Sequence, residues 1–179
     1  MRIISGKHKG KKIFPDSSFS ARPTTDFAKE NIFNVLGNIV DFEDLEVLDL
    51  FSGTGSIGYE FASRGAKEVI SVELNYKHYA FIKHCAAQLG FDCMKVFKND
   101  VFAACKKLNG RSFDVVFADP PYNLDRITEV PDAIFENGLL RADGIAVVEH
   151  PASVKFEEHP NFVERRVYGS VNFSLFRMK

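Results

Sequence analysis

Residues 45–58 read LEVLDLFSGTGSIG, and this stretch decides the fold. A run rich in branched apolar residues ends at a glycine-rich turn, and Ser56 to Arg64, closed by Gly65, then has helical composition. The same cycle repeats downstream. EVISVE (68–73) reads as a second strand, Tyr76 to Leu89 as a helix ended by Gly90, and MKVFKND (94–100) as a third strand. Val101 to Leu108 reads as a helix and FDVVFA (113–118) as a fourth strand. Strands alternating with helices predict a parallel α/β sheet. Asp49, Glu73, Asp100 and Asp119 fall at or just after the carboxyl ends of successive strands, the edge where open α/β sheets bind ligands.

Further along, a helix around Ile127 to Phe135 precedes a fifth strand, GIAVVE (144–149). FVERRVYGSVNFSLFR (162–177) then gives two β-rich runs about a Gly169-Ser170 turn. A two-residue connection joins only antiparallel strands, so the sheet is expected to be parallel with one reversed strand at its end. Towards the amino end, the pattern of RIISGKHKGKKIF (2–14) predicts a small hairpin outside the sheet. Thr24 or Thr25 can cap a following helix that carries Phe27, Ile32, Phe33, Val35, Leu36 and Ile39 at helical spacing.

The chemistry is concentrated in two motifs. DLFSGTGSIG (49–58) contains G-x-G-x-x-G, which also occurs in dinucleotide sites and is weak evidence alone. Asp49, four residues before Gly53, argues against a pyrophosphate there, because a carboxylate repels phosphate. It suits a ligand bearing an ammonium, as the amino acid part of S-adenosylmethionine does, with Gly53 and Gly55 permitting close backbone approach. Glu73 can accept bonds from both ribose hydroxyls. Asp100 can accept from an adenine amino group or cap the next helix. Phe51 completes the candidate donor site.

The second motif is Asp119-Pro120-Pro121-Tyr122, directly after a buried strand. An exocyclic amine on a nucleobase is a poor nucleophile because its lone pair is delocalised into the ring. The Asp119 carboxylate and Pro120 carbonyl can each accept one N–H, turning the lone pair towards a methyl donor, while the successive prolines fix the turn. The Tyr122 ring offers a face for an extruded base. Alone, DPPY is also an ordinary turn. After the fourth strand of a sheet already bearing Asp49, Gly53, Gly55 and Glu73, the catalytic reading prevails. The motif chemistry does not separate a guanine amine from an adenine amine or a glutamine amide. A dinucleotide-dependent oxidoreductase and a non-catalytic RNA-binding module are the rival readings.

A net charge of −1 conceals an asymmetry. Residues 1–29 carry seven bases (Arg2, Lys7, Lys9, Lys11, Lys12, Arg22, Lys29) against Asp16 and Asp26, a net +5, while the remainder has 16 bases and 22 acids, a net −6. A phosphate-facing arm is one reading and a solvated edge the other. We expect one domain over 1–179, with a basic RNA-facing extension at 1–24 and a catalytic core at 25–179. The five histidines lack metal-ligand spacing, so no metal is expected. Cys85, Cys93 and Cys105 suit packing rather than disulfides. With no apolar stretch near the roughly 18 residues that span a bilayer, and a charged start where a signal peptide needs an apolar core, a cytoplasmic protein is expected.

These motifs resemble the RsmD-type bacterial guanine-N2 methyltransferases of small-subunit ribosomal RNA. The resemblance runs through MRIISGKHKGKKI, RPTTD (22–26) leading to IFNVL, DLFSGTGSIG, DPPY and YGSVNFSLF, and so covers nearly the whole chain. It implies a seven-stranded, Rossmann-like class I methyltransferase sheet, S-adenosylmethionine as donor, and one guanine of 16S rRNA in an assembled or assembling small subunit as acceptor. By motif position it implies that Asp49, Gly53, Gly55 and Glu73 bind the donor. Asp119, Pro120 and Tyr122 would hold the target amine, with Arg22 near the site. Phe27 stands where many relatives carry a basic residue, with Lys29 in the usual second basic position, so no RNA contact is implied at residue 27.

Overall fold

The computed structural model describes residues 1–15 and 25–179. Seven strands form one sheet: β1 (Glu46–Leu50), β2 (Glu68–Glu73), β3 (Met94–Lys98), β4 (Phe113–Ala118), β5 (Leu140–His150), β6 (Phe162–Tyr168) and β7 (Val171–Phe176). Their spatial order is β3-β2-β1-β4-β5-β7-β6. The first five pair in parallel, and β7 runs antiparallel to both β5 and β6. The reversed strand therefore does not lie at the sheet's end, contrary to the expectation from sequence. The tight turn obliges β6 and β7 to be antiparallel, but β7 takes the place beside β5, leaving β6 at the border parallel to the rest.

Helices cover both faces because successive strand residues point to opposite sides. Leu48, Leu50, Val116 and Ala118 face α4 (Val101–Lys107) and α5 (Val130–Glu136). Val47, Val115 and Phe117 face α1 (Asp26–Leu36) and α2 (Ser56–Ser63). Thr25 caps α1, its hydroxyl accepting from Ala28 N at 3.1 Å. The helix expected at Ile127 to Phe135 is divided: a single 3-10 turn spans Ile127–Glu129 and α5 follows. Pro131 accounts for this, since its missing N–H and its ring are tolerated only in a helix's first turn.

The amino-terminal hairpin lies outside the sheet. Arg2 and Lys12 form one antiparallel bridge, and Ile3 and Ile13 pack with Tyr59, Ile82 and Phe91 beside α3 (Tyr76–Leu89). It is clamped to α2. Glu60, fully buried, accepts from Ile4 N at 2.8 Å, Ser5 N at 3.0 Å and Arg64 Nε at 2.9 Å. Lys29, 1% exposed, sends its ammonium to Arg2 O at 2.6 Å and Ser56 Oγ at 3.0 Å, with Glu60 Oε2 3.9 Å away. Burial lowers the Lys29 pKa, the Glu60 charge working in the opposite sense. Lys29 is thus an internal tie, not part of a basic surface. Gly6 adopts φ +80° against α2, where a Cβ would stand 1.9 Å from Ser63 O.

Candidate active site

The turn after β1 is held from several directions. Ser52 N donates to Val72 O at 3.1 Å, Ser52 Oγ to Asp49 O at 2.8 Å, and Gly55 N to Ser52 O at 2.7 Å. Phe51 and Gly53 take φ of +58° and +53°. For a non-glycine residue such as Phe51 that conformation costs on the order of 1 kcal/mol, and packing of its ring against the α4/α5 core holds it there. Gly55, at φ +82°, opens α2, and a Cβ there would lie 2.7 Å from the Tyr59 ring.

Three of the four expected carboxylates lie along the rim. Glu73 ends β2, its Oε2 accepting from Gly53 N at 2.8 Å and its Oε1 from Asn75 N at 2.7 Å, so it braces the glycine turn. Asp100, exposed and two residues past β3, caps α4 by accepting from Ala103 N at 2.9 Å. Asp119 follows β4, and its backbone N–H donates to Leu50 O at 3.2 Å, which seats the Asp-Pro-Pro-Tyr turn beside the end of β1.

Asp49 is placed differently. Leu48 and Leu50 face α4 and α5, so the alternation of β1 turns Asp49 beneath the glycine turn, towards α2. It is 1% exposed and accepts from Ser71 Oγ at 3.3 Å. A Cβ on Gly58 would stand 3.0 Å from Met94 Cε and from Ser71 Oγ and 3.1 Å from Asp49 Oδ2, a crowding that explains the third glycine. Burial pushes the Asp49 carboxyl up to about 7, with the Glu73 charge adding and bonds from Ser52, Ser71 and Gly58 opposing.

Pro120 is buried, Pro121 exposed, and Tyr122 is 47% exposed. The Tyr122 hydroxyl donates to Glu149 Oε1 at 3.0 Å. Glu149, 5% exposed near the end of β5, thereby joins the candidate site, and the sequence reading did not include it. An available signal was that VVE (147–149) repeats the apolar-run-then-acid pattern of the earlier strands.

Arg2, Lys7, Lys9, Lys11 and Lys12 are exposed on the hairpin, with Arg2 Nε 3.8 Å from Asp26. Arg22 lies outside the described residues. Among the described residues no group of three His, Cys, Asp or Glu side chains could hold a metal ion, and no helix is long and apolar enough to cross a membrane. His150 is buried with one ring nitrogen 2.8 Å from Ser174 Oγ and the other 3.0 Å from Pro151 O. Cys85 and Cys105 are buried, and burial raises both thiol pKa values.

A five-stranded parallel run continued by an antiparallel pair, with a braced glycine turn after β1, defines the class I S-adenosylmethionine-dependent methyltransferase fold. Comparison with known proteins agrees. The family described as conserved hypothetical protein 95 matches residues 1–177. The chain is 33% identical to "Putative rRNA methyltransferase YlbH" of Bacillus subtilis, with all of both chains covered. It is 28% identical to ribosomal RNA small subunit methyltransferase D of Escherichia coli K12, covering 99% of this chain and 89% of that one. A solved structure of a Thermus thermophilus hypothetical protein superposes with a TM-score of 0.88 at 28% identity, over 99% of each chain. The chain belongs to this family, the RsmD-type ribosomal RNA methyltransferases.

Proposed function

We propose that the chain transfers a methyl group from S-adenosylmethionine to the exocyclic N2 of one guanine in 16S rRNA, in the cytoplasm, on an assembled or assembling small subunit. The observation that carries the reading is the Asp119 N–H bond to Leu50 O, which joins the amine-holding turn to the turn that would hold the donor.

The residues suit that donor. Among the described residues, the chain neighbours of Gly53 aside, only Phe51 O at 3.9 Å lies within 4 Å of the place a Cβ would take there, so a ligand can approach that backbone closely. Glu73 offers acceptors for ribose hydroxyls, Asp100 one for the adenine amino group, and Phe51 an apolar side. Asp49 acts on the ammonium from beneath the turn. S-adenosylmethionine supplies an electrophilic sulfonium methyl when bound.

The target amine is held by two acceptors, the Asp119 carboxylate and the Pro120 carbonyl. Accepting both N–H groups weakens conjugation of the nitrogen lone pair with the ring and points it at the methyl carbon. Pro120 and Pro121 keep the turn rigid, and Tyr122 presents its exposed ring face to the base. The amine proton leaves after transfer, so no strong base is needed. Arg2, Lys7, Lys9, Lys11, Lys12 and Arg22 would meet RNA phosphates, whose attraction supplies affinity without sequence information.

The test is to incubate small subunits from a strain lacking the gene with labelled donor, digest the RNA and identify the modified nucleoside. N2-methylguanosine is expected. Asp119→Ala should bind S-adenosylhomocysteine as the parent does while kcat falls at least about 100-fold. Label in adenosine, or in a protein glutamine, would overturn the proposal.

A further inference from the structure

The Asp-Pro-Pro-Tyr turn handles an amine without identifying the base that carries it. The wall beside that turn supplies what is missing. In the β4–β5 register Ala118 pairs with Val148, on strands about 4.8 Å apart, and the residues that follow this pair are Asp119, in the turn after β4, and Glu149, within β5. Glu149 is almost wholly buried, yet it takes the hydroxyl of a half-exposed tyrosine at 3.0 Å. A hydrogen-bond donor therefore already reaches this carboxylate from the side of the exposed ring. Glu149 is also unused by the chemistry of methyl transfer.

A carboxylate only accepts hydrogen bonds. On guanine the N2 amine is flanked by N1–H, a donor on the same edge. On adenine the N6 amine is flanked by a bare N1 lone pair, which a carboxylate repels. A glutamine amide has no ring nitrogen at all. A second acceptor next to the one that grips the amine thus separates these three substrates.

We propose that Glu149 is the specificity-determining residue of this site, accepting the N1–H of the target guanine while Asp119 and Pro120 hold its amine. Tyr122 marks that place with its hydroxyl until the base arrives, and then serves as the stacking face. This inference rests on the guanine-N2 reading given above.

The probe is small-subunit RNA rebuilt with 2-aminopurine at the position found modified. 2-Aminopurine keeps the exocyclic amine but has an unprotonated N1. The parent protein should favour guanine over 2-aminopurine by at least about 10-fold in kcat/KM. In Glu149→Gln, whose amide can donate to N1, the preference should shrink to within about 3-fold, with the rate on 2-aminopurine rising. The ratio is taken within one preparation, so it does not depend on the fraction folded, and S-adenosylhomocysteine binding checks the site. Tyr122→Phe keeps the stacking ring and removes only the hydroxyl that the base displaces, so it should keep the preference.

Equal losses on both bases in Glu149→Gln would overturn the inference, as would a narrowed preference in Tyr122→Phe, which would show Glu149 acting only through the tyrosine. In either case N2-methylguanosine made by the parent would leave the function standing. If the parent makes none, that reading fails and this one with it.

Discussion

Replacing Asp49 with asparagine exchanges a buried carboxyl for an uncharged group of the same shape. Burial holds the Asp49 pKa at about 7 in the folded protein, against 3.8 ordinarily. From pH 4 to pH 7 the folded chain therefore keeps a proton that the unfolded chain has released. Stability falls as pH rises across that window: the contribution of this group is whole below pH 4 and gone above pH 7. At about 1.36 kcal/mol per unit, the two units between pH 5 and pH 7 correspond to about 3 kcal/mol. The variant has no such proton. Urea unfolding at pH 5 and pH 8 should accordingly show the stability difference, variant minus parent, moving by about 3 kcal/mol in the variant's favour, because titrating groups that do not interact with Asp49 cancel in the comparison. A difference that stays constant across the two pH values would refute the placement of a protonatable carboxyl beneath the glycine turn.

The same group bears on donor binding. S-adenosylhomocysteine brings an ammonium, so at pH 6 its binding should release up to about one proton in the parent and none in Asp49→Asn, as read by calorimetry in buffers of different ionisation enthalpy. Glu60→Gln leaves the Lys29 ammonium without its buried counter-charge and should cost about 3–5 kcal/mol in urea unfolding. Gly6→Ala cannot seat the hairpin, because its Cβ would overlap Ser63 O, and should lower stability by at least about 2 kcal/mol while making residues 1–13 accessible to protease. Changing Lys7, Lys9 and Lys11 together to glutamine should weaken RNA binding and flatten its log–log salt dependence by roughly 0.7–0.9 per phosphate-contacting lysine.

What the sequence revealed followed from periodicity and turn chemistry. β2, β4 and α3 have the bounds read for them, because each is an apolar or amphipathic run closed by a residue with a clear local role, such as Gly90 at φ +67° after α3. β5 begins at Leu140 rather than Gly144, since a register shift between Phe113 and Val115 lets the polar RAD segment continue the strand. Lys29 counts among the bases of the amino-terminal segment, although its spacing with Ala28, Ile32, Phe33 and Leu36 puts it on the apolar stripe of α1. Its partner Glu60 is 31 residues away, and no local rule pairs them. The order of the last two strands, the turning of Asp49 away from the rim and the Tyr122–Glu149 bond are likewise set by long-range register. A pattern of residue types shows which side chains end a strand, not which neighbours the sheet brings to them.

The position of β7 has a consequence for how the molecule comes apart. All six of its residues are buried; Phe173 and Leu175 enter one core and Phe176 the other. Until this segment slots in, β5 presents an open row of amides and carbonyls with greasy surfaces above and below, an adhesive border that recruits other chains. Truncation after Tyr168, or a charge introduced at Phe173, would therefore show itself first as clumping during synthesis, before any deficit in turnover could be measured.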